Sequence, residues 1–160
     1  MLNSALNGVL IIHAVASLTR NQSQQVLMDE LGFEAHWETK AGLSNLICEF
    51  AGDYGQMMRL VEALTQCPEM SFELMILTSE QQDGERWVYT SALGVGFCRI
   101  DVAGNHLLMQ EQIERLIRES GDHMLKFERL INKALLKPWD ESFEELREAR
   151  LRQRRLPKVS

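Results

Sequence analysis

The stretch Gly8-Val9-Leu10-Ile11-Ile12-His13-Ala14-Val15 is apolar at both alternating positions, with Val9, Ile11 and Val15 against Leu10, Ile12 and Ala14. Successive side chains of a strand point to opposite faces, so this pattern describes an internal strand covered on both sides. Working outward, Leu18 to Leu31 reads as a helix, with Val26, Leu27 and Leu31 at helical spacing and Gly32 as its stop. Phe33 to Thr39 reads as a strand, and Lys40-Ala41-Gly42 as a turn. Ser44 to Ala51 alternates, with Leu46, Cys48 and Phe50 on one face. Asp53 and Gly55 open a second helix whose stripe is Met57, Leu60, Val61 and Leu64, and Pro68 ends it. Phe72 to Leu77 is a further strand. The order β-α-β-β-α-β is the split, ferredoxin-like arrangement, in which the first strand is internal.

Beyond this core, Gln81-Gln82-Asp83-Gly84-Glu85 reads as a polar connection, and the sheet resumes through Trp87 to Tyr89. Val95 to Asp101 and His106 to Leu108 form a hairpin around Val102-Ala103-Gly104-Asn105. Two or three helices follow, at about 110–119, 122–136 after Gly121-Asp122, and 139–153 after Pro138. They can cover the sheet face that two crossover helices leave open. The expected class is α+β, with one domain over residues 1–153 and a basic tail at 154–160.

The 160 residues are 45% hydrophobic and 25% charged, a composition that excludes disorder, coiled coil and collagen as whole-chain readings. Residues 147–160 hold six basic residues and one acid, for +5, which leaves −11 on residues 1–146. An acidic body disfavours nucleic acid, while the tail is either a frayed helix end or a contact for an acidic partner. Cys48, Cys67 and Cys98 lack disulfide or zinc spacing, and Cys48 and Cys98 read as reduced core residues of a cytoplasmic protein. The first residues imitate a signal peptide, but no cation precedes Arg20 and His13 interrupts the apolar run. No apolar run approaches the roughly 18 residues of a membrane helix.

Motifs that carry chemistry are absent. The histidines at 13, 36, 106 and 123 show no metal-ligand spacing, and there is no GxSxG. His13, a polar ring in an apolar strand, must find a hydrogen-bond partner, and a satisfied core histidine is the preferred reading over a ligand or base. Gly94-Val95-Gly96 is followed by strand-like residues, so it reads as a bulge or close crossing rather than a phosphate loop. An RNA-binding sheet would need basic and aromatic residues on central strands, and only Phe97 and Arg99 stand out here. An enzyme would have to rest on His13, Arg99 and Asp101. What remains is a set of large amphipathic residues, Trp87, Tyr89, Phe97, Trp139 and Phe143, which suit an interface or a core. For Trp139, core packing at a helix start is preferred.

Gly8-Val9-Leu10, His13, Trp37, Gly84-Glu85-Arg86-Trp87, Thr90, Leu93-Gly94, Asp101, Ala103-Gly104-Asn105, Ile113, Trp139-Asp140, Glu145, Arg147 and Ala149 stand together in a pattern that resembles the actinobacterial domain-of-unknown-function family 3145. The likeness covers residues 8–150 and is most specific over 84–105. It departs at Arg154-Arg155-Leu156-Pro157-Lys158, where the family has an aromatic, hydrophobic end, and it is poor around 16–25. The family carries no established activity. Its members tend to be encoded beside fatty-acid synthesis genes. The resemblance therefore implies a non-catalytic regulatory protein that binds a biotin-dependent acetyl-CoA or acyl-CoA carboxylase and inhibits or tunes it. The alternative is a domain that senses a small molecule or acyl-CoA. The expected partner-binding residues are Trp87, Tyr89, Arg99, Asp101, Asn105, Trp139, Arg150, Arg152, Arg154 and Arg155, with no catalytic, cofactor or metal residues expected.

Overall fold

A computed structural model describes residues 6–13, 25, 36–40, 43–67, 70–78 and 83–155. Its elements are β1 (Leu6–Ile12), β2 (His36–Lys40), β3 (Leu43–Gly52), α1 (Tyr54–Thr65), β4 (Ser71–Thr78), β5 (Asp83–Thr90), β6 (Gly94–Asp101), β7 (His106–Leu107), α2 (Gln110–Ser120), α3 (Met124–Ala134) and α4 (Lys137–Arg155). The molecule is a mixed α and β protein with one seven-stranded sheet in the order β2-β3-β1-β4-β5-β6-β7, every neighbouring pair antiparallel. The helix expected over residues 18–31 lies outside the described residues except Gln25, which is helical, and residues 156–160 of the tail also lie outside them.

The sheet separates two cores because each strand sends alternate residues to opposite sides. On the first face Leu10, Ile12, Leu46, Cys48, Phe72, Leu74 and Ile76 meet Met57, Leu60, Val61 and Leu64 of α1. That helix starts where its sequence dictates. The Asp53 carboxylate accepts from the Gln56 amide at 2.8 Å, and the Gln56 side chain accepts from the Asp53 amide at 3.0 Å. On the second face Val88 and Cys98 meet Leu136, Trp139 and Phe143, so α4 covers the side that α1 does not.

Three sequence expectations need correction. β1 is internal, between β3 and β4, but only its first face is sealed: Leu6, Leu10 and Ile12 are buried while Val9 is 40% exposed. On the second face Phe143 of α4 stacks on His13, the residue after β1, at 4.8 Å, but Val9 stays open. The polar run at 81–85 is not all connection, since Asp83, Gly84 and Glu85 already belong to β5. Gly84 allows this, because a Cβ there would stand 2.1 Å from the Ile76 carbonyl oxygen. Finally, α3 is capped by His123 and not by Asp122, and no side-chain hydrogen bond closes its end.

The chain between α3 and α4 turns at Leu136, which has φ of 63° although it is not glycine. A left-handed residue costs roughly 1–2 kcal/mol. The side chain is 1% exposed, and losing a buried leucine costs about 2–5 kcal/mol, so packing outweighs the strain.

Candidate functional site

Two regions collect side chains with functional potential, one on each face. On the second face a chain of polar groups crosses from β1 to β7 beneath α4. His13 Nε2 lies 2.7 Å from Glu73 Oε2, and Arg86 Nη2 donates to Glu73 Oε1 and, at 2.6 Å, to Asp140 Oδ1. Arg86 Nη1 donates to Asp140 Oδ2 at 3.3 Å and meets His106 Nε2 at 3.1 Å. Register explains the meeting. Ile11 pairs with Glu73, Glu73 with Val88, and Arg86 with Cys98, so Glu73 and Arg86 face the same side on adjacent strands. The first turn of α4 then brings Asp140 to them.

Two members of this arrangement, Glu73 and Arg86, are held in their charged forms. Burial works to raise the Glu73 carboxyl, but hydrogen bonds from His13 and Arg86 outweigh it and hold the acid below its ordinary range. Burial likewise works against the Arg86 cation, and its bonds to Asp140 and Glu73 keep it more firmly protonated than usual. Both terminal nitrogens of the buried guanidinium are therefore engaged, the bidentate pairing with Asp140 being the strong form of such a contact.

On the first face, beyond the edge of α1, the sheet is open. Trp87 packs half-buried against the first core, donates Nε1–H to Glu85 Oε2 at 3.1 Å, and meets Phe97 at a ring separation of 4.8 Å and a tilt of 54°. Phe97 is 42% exposed and Val95 47%. Phe97 and Arg99 on β6 and Met109 to Gln112 with Glu114 at the start of α2 line a cleft of about 620 Å³. Its lining mixes one aromatic, one cation and two acids, Glu111 and Glu114.

The expected interface residues do not form one patch. Trp87, Tyr89 and Arg99 share the first face, where Tyr89 stacks on Phe72 and donates its hydroxyl to the Thr65 carbonyl at 3.4 Å. Trp139 is on the other face, 4% exposed, donating its indole N–H to the Gly94 carbonyl at 2.9 Å. Gly96 makes room for it, since a Cβ there would lie 2.9 Å from the Trp139 ring. Asp101 and Asn105 hold the β6–β7 turn: Asp101 Oδ1 accepts from the Ala103 and Asn105 amides and Oδ2 from the Asn105 side chain. The Asn105 amide, first among these donors, keeps the Asp101 carboxyl below its usual range. Arg150, Arg152, Arg154 and Arg155 lie in the last turns of α4, and Arg152 is exposed. His13 is on the opposite face from Arg99 and Asp101, so the structure does not bring that trio together.

Sequence reasoning missed Glu73, Arg86, Asp140 and His106 as a group. The available signal was Glu73, a charge set between Phe72 and Leu74 in an apolar strand, whereas Arg86 follows Glu85 in a polar run. Cys48, Cys67 and Cys98 are free thiols, with Cys48 and Cys98 buried. Among the described residues no three His, Cys, Asp or Glu side chains are placed to hold a metal, and no helix is long and apolar enough to cross a membrane.

The family model described as protein of unknown function (DUF3145) matches residues 11–153. The chain belongs to that family. The match takes in all of the polar chain under α4 as well as the cleft residues of this DUF3145 member. No curated protein and no solved structure matches the chain.

Proposed function

We propose that this DUF3145 member is a non-catalytic interaction protein that docks through the first face of its sheet, at the cleft of Phe97 and Arg99. The observation that carries the reading is the contrast between the two faces. The ionisable side chains gathered on the second face are bound to one another, whereas a large aromatic ring on the first is left open beside a helix start. Aromatic anchors in a cleft are the residues on which interfaces concentrate their energy.

The proposed partner is a biotin-dependent acetyl-CoA or acyl-CoA carboxylase in the cytoplasm, which the protein inhibits or tunes by covering an entrance. The resemblance to the family supports this choice of partner. The acyl-CoA sensor is the weaker reading. Coenzyme A carries several phosphates, and the cleft presents one cation, Arg99, against Glu111 and Glu114. We further read the first four strands as a ferredoxin-like unit. The antiparallel order β2-β3-β1-β4 is the order a split βαββαβ unit requires, and it supports that reading. The whole is read as one domain over residues 1–153 with a basic tail at 154–160.

The test is the carboxylation rate of a purified biotin-dependent carboxylase titrated with the full chain. A saturable change in rate, with a complex that elutes as one species, is the expected result. An unchanged rate with no complex would overturn the carboxylase reading.

A further inference from the structure

We propose that His106 is a pH-operated latch that holds β7 and the start of α2 to the sheet. The reasoning begins with hydrogen-bond inventory. A guanidinium can only donate, so His106 Nε2, 3.1 Å from Arg86 Nη1, must accept. The ring is therefore neutral, with its own hydrogen on Nδ1. A second proton would have to land on Nε2, where it would set N–H against N–H and cation against cation.

The groups facing this ring among the described residues come from three elements. Arg86 of β5 opposes the proton, Asp140 of α4 favours it, and the Cys98 thiol of β6 shares the same side, donating to the Leu107 carbonyl at 3.6 Å. Glu73 of β4 and His13, the residue after β1, stand behind Arg86. Burial first and Arg86 second outweigh Asp140, so the ring takes up its proton below the ordinary value of 6.5. A folded-state value below the unfolded one means the contact stabilises the fold above that ordinary value, and the contribution is lost as pH falls through the folded-state value.

The element that depends on the contact is slight. β7 is two residues long and pairs with β6 at Arg99–Leu107 and Ile100–His106. Three residues after Leu107 the helix α2 begins, and its first turn walls the cleft beside Phe97. Releasing His106 thus loosens the edge strand and the cleft wall together. The inference stands on contacts within the chain and holds whatever docks in the cleft.

The experiment is an NMR titration of the full chain from about pH 7.5 to about pH 5.5, across the range in which histidine changes charge. It reads the His106 ring nitrogens and the hydrogen exchange of the Leu107 amide, corrected for intrinsic rate. At the upper end Nε2 should be the unprotonated nitrogen. As it titrates, Leu107 exchange should rise severalfold. In His106→Gln the amide oxygen accepts from Arg86 without titrating, and Leu107 protection should stay flat. A neutral ring protonated at Nε2, unchanged Leu107 exchange in the wild-type chain, or the same pH response in His106→Gln would each overturn the latch. The wild-type measurement decides even if the variant does not fold.

Discussion

Arg86 is the residue on which the second face turns. It is 7% exposed and holds Glu73, Asp140 and His106 through two nitrogens, so its removal takes the guanidinium from two carboxylates at once. Breaking a buried ion pair from one side costs about 3–5 kcal/mol, with the lower end expected because Asp140 is 44% exposed. Arg86→Met should lose about 3 kcal/mol in urea unfolding followed by circular dichroism. Glu73 makes a separate prediction in pH. Its carboxyl is held below the ordinary 4.5, so it stabilises the fold above that value, and the contribution disappears as pH falls through the folded-state value. Stability measured from pH 7 down to about 3 should fall with a steeper acid limb in the wild-type chain than in Glu73→Gln. Equal limbs in the two proteins would remove the proposed charge coupling.

At the scale of elements, β6 and α4 depend on each other through one missing side chain. A Cβ on Gly96 would lie 2.9 Å from both the Trp139 ring and a Val88 methyl, and 3.0 Å from a Leu136 methyl. Overpacking of this kind costs about 1–3 kcal/mol. Gly96→Ala should therefore destabilise by that amount in thermal unfolding, and Trp139 fluorescence should shift as the ring is pushed from its place. Sequence periodicity located most strands and helices near their observed bounds, because alternation and helical stripes record which side of an element is buried. The apolar run predicts cover on both faces of β1, and the open Val9 departs from it because an apolar residue does not by itself report what packs over it. The Gly96–Trp139 contact spans 43 positions, and the charge cluster joins residues 13, 73, 86, 106 and 140. No local pattern encodes partners that meet only through sheet register and helix placement.

Across the whole molecule, chemistry divides between an engaged face and an open one. The acidic body and the basic end of α4 add a long-range component. If Arg150, Arg152, Arg154 and Arg155 guide a partner, changing all four to Gln should slow association and flatten its dependence on salt, because exposed charges are screened within about 10 Å at 0.1 M ionic strength. An unchanged salt slope would return this segment to a solvated helix end. The cleft is the more direct test, since truncating a central aromatic anchor commonly costs 2 kcal/mol or more, about thirtyfold in affinity. Surface plasmon resonance of a purified biotin-dependent carboxylase over immobilised full chain, wild type against Phe97→Ala, measures that loss. The account predicts saturable binding to the wild type, weakened at least tenfold by Phe97→Ala while the melting temperature stays put. No binding to the wild type, or equal affinity for both proteins, would contradict it.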